Sequence, residues 1–105
     1  VTRPIILFHD LDHARAAVDA AAGLKIPITL QSAPGAAAYA GVGFLKAVVD
    51  EAGVSDAVID CGTDAGTAMA ALRAGWKRLV FSGDQAMAVK LADMGAQMDA
   101  IVTGD

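Results

Sequence analysis

Three glycines, Gly62, Gly83 and Gly104, stand 21 residues apart, and each closes a short apolar run. The residue before each is small: Cys61, Ser82 and Thr103. An acid follows directly or one residue later: Asp64, Asp84 and Asp105. One short strand, one three-turn helix and two tight connections fill a period of this length, so the repeating unit is βα. Two readings of the repeat stand. A tight βα turn favours glycine and a helix-capping Asp for local reasons alone. Alternatively, the turns line one functional edge. Under either reading successive units are geometrically equivalent.

The rest of the chain follows the same alternation. "PIILFH" reads as a strand, and "LDHARAAVDAAAGLK" as a helix with Leu11, Ala14, Val18, Ala21 and Ala22 on one face and a stop at Gly23. "IPITLQS" is a second strand opened by Pro27, and "GAAAYAGVGFLKAVVDEAG" a second helix closed by Gly53. "DAVIDCG", "KRLVFSG" and "MDAIVTGD" are the remaining strands, separated by helices that stop near Gly75 and Gly95. Strand and helix in strict alternation, joined by short connections, mean parallel strands with right-handed crossovers. The strands are continuous apolar runs, the pattern of a sheet covered on both faces. We therefore expect one α/β domain over residues 1–105, with a five-stranded parallel sheet, open and doubly wound in flavodoxin-like order. The alternative is a half-barrel fragment, because five strands are too few for a closed eight-stranded barrel.

Composition narrows the setting. Hydrophobic residues make up 55% of the chain but aromatics only 5%, so alanine and small aliphatics carry the core and the elements must pack closely. Charged residues are 19%, below the roughly 25% of ordinary soluble domains, which points to surface buried in a homodimer. The net charge is −4 and the basic residues are scattered, so no nucleic-acid footprint forms. No apolar run reaches the roughly 20 residues that span a bilayer, and "VTRPIILFHD" lacks a signal-peptide layout. The lone Cys61 excludes an internal disulfide framework. A cytoplasmic protein without membrane contact is expected.

In open α/β sheets ligands bind beyond the carboxyl ends of the strands. All five predicted strand ends are polar: His9-Asp10, Gln31-Ser32-Ala33-Pro34-Gly35, Cys61-Gly62-Thr63-Asp64, Ser82-Gly83-Asp84 and Thr103-Gly104-Asp105. The opposite edge reads as helix stops. Ser32, Pro34 and Gly35 lead into the second helix, where free N–H groups face a ligand. Tyr39, Gly62, Thr63, Ser82, Gly83 and Asp84 complete the candidate binding set, while Asp64 and Asp84 also suit the role of helix caps. His9, Cys61 and Asp64 are the catalytic candidates. A helix N-terminus or a nearby histidine would activate the thiol, and the flavodoxin-like order would make the first and third strands neighbours. His9 and His13 bracket two acids in "HDLDH", but no metal centre is assigned to them. The G-x-G-x-x-G, G-x-x-x-x-G-K-[ST] and G-x-S-x-G patterns are absent, so no cofactor is indicated.

Inside the second helix Gly41 and Gly43 read as sites of close packing, against the sheet or a partner subunit. Val42 and Val49 share one stripe of that helix and are the expected dimer face. The segment "DCGTDAGTAMAALRAGWKRLVFSG" resembles βα units of small-molecule (β/α)-barrel aldolases, and the whole chain resembles small bacterial α/β proteins. Those aldolases use a Schiff-base lysine at a strand end; no strand end here carries a lysine, so the resemblance does not bring the activity with it. The expected function is binding of a small anionic or phosphorylated ligand at the strand C-termini. The alternatives are an enzyme using His9, Cys61 or Asp64, and a non-catalytic homodimeric scaffold.

Overall fold

In the computed structural model, described over residues 4–8, 10–54 and 56–104 (backbone alone at 38 and 39), strands and helices alternate as expected. The order is β1 (Ile5–Phe8), α1 (Leu11–Leu24), β2 (Thr29–Ser32), α2 (Ala36–Ala40), α3 (Val42–Ala52), β3 (Ala57–Asp60), α4 (Ala65–Ala74), β4 (Arg78–Val80), α5 (Gln85–Gln97) and β5 (Ile101–Thr103). All five strands pair in parallel in one open sheet. The class is α/β.

The strand order is β1-β2-β3-β4-β5, which differs from the flavodoxin-like order, where β1 lies between β2 and β3. This has a direct consequence. Every crossover joins adjacent strands and advances the same way, and right-handed crossovers of that kind all land on one side of the sheet. Accordingly α1 packs on α3, α3 on α4 and α4 on α5, as a single helical layer. The sheet is wound once rather than doubly. Its order is that of a half-barrel, the second architecture the sequence allowed.

The core lies between that layer and one sheet face. Phe8, Leu30, Ile59, Leu79 and Phe81 enter it from the sheet side, and Ala14, Leu45, Val48, Val49, Ala68, Ala71, Leu72 and Leu91 from the helices. The other face is open. Ile5, Leu7 and Ile101 are 61%, 43% and 59% exposed there, so the continuous apolar runs do not signify two covered faces. In β1 the outward residues are aliphatic too, which removes the alternation that would have revealed the open side.

Local signals set most boundaries. Asp10, Asp64 and Asp84 cap α1, α4 and α5, each carboxylate accepting from backbone N–H groups of the first turn. Gly53 and Gly75 end α3 and α4 in left-handed conformation. Two expected stops do not act. Helix α1 runs through Gly23 and ends at Lys25, itself left-handed at φ 57°, with Pro27 preventing continuation. Pro27 lies ahead of β2 rather than in it. Helix α5 likewise contains Gly95, which is buried.

The long second helix is two helices. Gly41 breaks it with φ 90° and ψ 141°, ending α2 and starting α3. A Cβ at Gly41 or Gly43 would meet nothing within 4 Å, so neither glycine serves close packing within the chain. At Gly41 the requirement is the positive φ, which L-residues rarely adopt. The break resets the helical phase. Val49 is 3% exposed in the core and Val42 packs against that core, so this pair is not an outer face; Phe44 is the large hydrophobic residue that α3 exposes. Trp76, 2% exposed, fastens the start of α3 by donating its indole N–H to the Val42 carbonyl at 3.0 Å.

Val49→Glu places an uncompensated charge in the core. It should cost about 3–5 kcal/mol, much of the ~5–15 kcal/mol typical of a domain. Urea melts followed by circular dichroism should show a collapsed midpoint. A folded Val49→Glu protein with an unchanged midpoint would put this side chain on the surface instead.

Candidate functional site

The C-terminal ends of β2 and β3 carry the most concentrated group of predicted site residues. Gly35, Cys61, Gly62, Thr63 and Asp64 line one pocket of about 190 Å³, together with Ala37, Asp60 and Thr67. Ser82 and Gly83 line a separate pocket of about 400 Å³ beside α5, with Gly104 on its rim. The candidates thus divide between two adjacent depressions on the same edge.

Stacking of the turns brings β3 and β4 into this arrangement. The Ser82 N–H donates to the Gly62 carbonyl at 2.7 Å. A Cβ on Gly83 would come within 2.9 Å of the Thr63 carbonyl and 2.6 Å of the Phe81 ring. The repeat glycines therefore have different reasons to be glycine: Gly62 adopts φ 59° in its turn, whereas Gly83 leaves room for the neighbouring backbone.

Ser32 does not face the pocket. It is fully buried, and its hydroxyl accepts from the Asp60 N–H at 2.9 Å, tying the end of β2 to β3. Pro34 is exposed in the turn before α2, and Gly35 caps that helix at φ 80° without a side-chain bond. The Tyr39 side chain, His9 and Asp105 lie outside the described residues. Strand β2 separates β1 from β3, which removes the adjacency on which pairing of His9 with Cys61 was expected.

On the β3–α4 side of the pocket, backbone donors are already engaged by carboxylates. Asp60 Oδ1 accepts from Gly62 N–H at 2.9 Å. Asp64 Oδ1 accepts from Gly66 at 2.9 Å and from Thr67 at 3.3 Å, closing the N-terminus of α4. Asp84 does the same for α5 through Met87 N–H at 3.0 Å. The field is consequently negative, and Cys61 registers it. Burial, then Asp60, then Asp64 raise its thiol from 9.0 to about 12. At neutral pH Cys61 is a protonated, buried thiol, not a nucleophilic thiolate.

Three pocket residues were missed in the sequence: Asp60, Ala37 and Thr67. Asp60 had a signal, because a carboxylate as the last residue of an apolar strand points to the ligand edge. Thr67 and Ala37 had none; their positions depend on how α4 and α2 pack. A second polar cluster was also missed, at the edge that read as helix stops. There Arg78 pairs with Asp56, and Asp56 accepts from the Thr29 hydroxyl at 2.5 Å. Seeing it requires knowing that β2, β3 and β4 are consecutive neighbours. Among the described residues no three His, Cys, Asp or Glu side chains gather as a metal site, and no helix is long and apolar enough to cross a membrane.

No protein-family model matches the chain, and no curated protein matches it significantly.

Two measurements check this site. Folding holds the Cys61 proton, so the stabilisation linked to it is complete below pH 9 and is lost as pH rises toward about 12, where the unfolded chain has already released its proton. Urea midpoints for the wild type should therefore fall more steeply over that window than those for Cys61→Ala; parallel curves would contradict the raised value. Gly83→Ala should lower stability by about 1–3 kcal/mol, because the Thr63 backbone must move to admit the methyl group. An unchanged midpoint would mean that the two turns are not in contact.

Proposed function

We propose that the chain is a small-molecule-binding α/β domain whose ligand sits at the C-terminal ends of the strands, in the pocket between Gly35 and the Asp60–Thr67 segment. The observation that carries this reading is the meeting of Gly35, from the β2–α2 turn, with Cys61 to Asp64, from the β3–α4 turn, around one depression lined also by Asp60 and Thr67. Residues far apart in sequence and bulky nowhere along the rim leave room for a ligand of a few heavy atoms. Sheets of parallel strands present their sites at this edge.

The chemistry of the rim selects the ligand. On the β3–α4 side an anion would have to displace Asp60 or Asp64 from the N–H groups they cap, against a field that already suppresses ionisation of Cys61. The pocket instead offers carboxylate oxygens and the hydroxyls of Thr63 and Thr67 to a ligand that donates hydrogen bonds. We therefore assign it an ammonium- or hydroxyl-bearing ligand in place of the anion expected from the glycine-rich turns. Within the catalytic alternative, which names His9, Cys61 or Asp64, burial and the two carboxylates disfavour Cys61 as a thiolate nucleophile.

Amide shifts during titration with ethanolamine and, separately, with inorganic phosphate test the reading. Millimolar ethanolamine should move the amides of Gly35, Gly62, Thr63 and Thr67, with phosphate much weaker. Asp64→Asn keeps a capping side chain but removes its charge, and should weaken the ethanolamine response several-fold. Stronger shifts with phosphate would restore the anionic ligand at this pocket. No shift with either probe would refute a site here.

A further inference from the structure

A roomier concavity than the strand-end pockets lies on the open face of the sheet, where a groove of about 570 Å³ runs across all five strands. Its floor is apolar at Val58 and Val80 and polar at Thr29, Gln31 and Thr103, and Ile5 and Ile101 rise at its two sides, on the edge strands. Arg78 lies at the end where the strands begin. Asp56 engages one guanidinium nitrogen, and the other carboxylate oxygen of Asp56 is taken by Thr29. Asp56 is thus committed on both oxygens and holds the guanidinium in place. A guanidinium has five N–H donors, and this contact uses only the NH1 end. The remaining edge is available at a side chain that is half exposed to the groove.

We propose that this face binds a small amphipathic monoanion, with its carboxylate on Arg78 and its aliphatic body lying over Val58 and Val80 between Ile5 and Ile101. Donor–acceptor complementarity selects this occupant. Asp56 and Arg78 neutralise each other within the chain, and the polarity left unspent at this end of the groove is the guanidinium's remaining N–H donors, which suit the oxygens of a carboxylate. The strip formed by Val58 and Val80 and flanked by Ile5 and Ile101 rewards contact with hydrocarbon, beside the polar Gln31 and Thr103. A neutral lipid would leave the guanidinium edge unused, and a short carboxylate would leave the aliphatic floor wet. This site lies on the sheet face, apart from the strand-end pocket, and does not depend on that pocket holding a ligand.

The test is titration of the whole chain with octanoate, followed by amide shifts at Gln31, Val58, Val80 and Ile101, with octanol and acetate as matched controls. Octanoate should bind at least tenfold more tightly than either control. Arg78→Gln should weaken octanoate tenfold or more and leave octanol unchanged. Should loss of the Asp56 partner unfold that variant, Ile101→Glu provides the second arm: its site is exposed, and an acid at the groove wall should also weaken octanoate tenfold or more. Equal binding of octanoate and octanol would reduce the face to a greasy surface and overturn the proposal. So would octanoate shifts confined to Gly62–Thr67, or a sedimenting dimer in which this face stays protected with or without octanoate. The ethanolamine response at the strand ends is read independently, so failure of either site is distinguishable from failure of the other.

Discussion

Sequential order with right-handed crossovers is the constraint on which everything else in this molecule rests. Once each strand pairs with the next in sequence, every helix must return over the same face. That single rule creates one covered face with the whole hydrophobic core, one open face with exposed aliphatics, and one edge at which all the βα turns gather. A single exchange of strand positions would have moved helices to the second face and left no groove there.

Close packing of small residues makes the single layer workable. Alanines such as Ala14, Ala68 and Ala71 are fully buried between helices and sheet, which lets larger residues from the sheet, Phe8 and Phe81 among them, fill the space without a thick interior. Trp76 is the exception in size. Its indole both fills the core and reaches the Val42 carbonyl, fastening α3 at the point where Gly41 has turned the chain. Helix α2 thereby becomes a short separate piece, and the turn before it is free to approach the β3–α4 turn.

At the strand ends, capping and electrostatics are the same set of contacts. Asp60 and Asp64 satisfy backbone N–H groups that would otherwise attract an anion. Their charge then keeps the neighbouring thiol protonated. On the far side of the sheet the balance is reversed: Asp56 is consumed by Thr29 and Arg78, and the guanidinium retains unspent donors. Five strands therefore give two different polar settings, one rich in carboxylates at the edge and one with unspent guanidinium donors on the face.

The sequence by itself determined what depends on a few consecutive residues. The α/β alternation, the caps at Asp64 and Asp84, and the stops at Gly53 and Gly75 were legible because backbone geometry and hydrogen bonding within one turn decide them. The polar strand ends were legible for the same reason, and Gly35, Gly62 and Thr63 do share a pocket. Strand order was not legible, because apolar β-branched runs such as "IILF" and "IVT" pair equally well with any neighbour and look alike whether one face or both are covered. With the order went the direction of Ser32, which turned inward to tie β2 to β3, and the meeting of Thr29, Asp56 and Arg78. These belong to the tertiary structure alone, since each is a contact between strands whose adjacency no local interaction specifies.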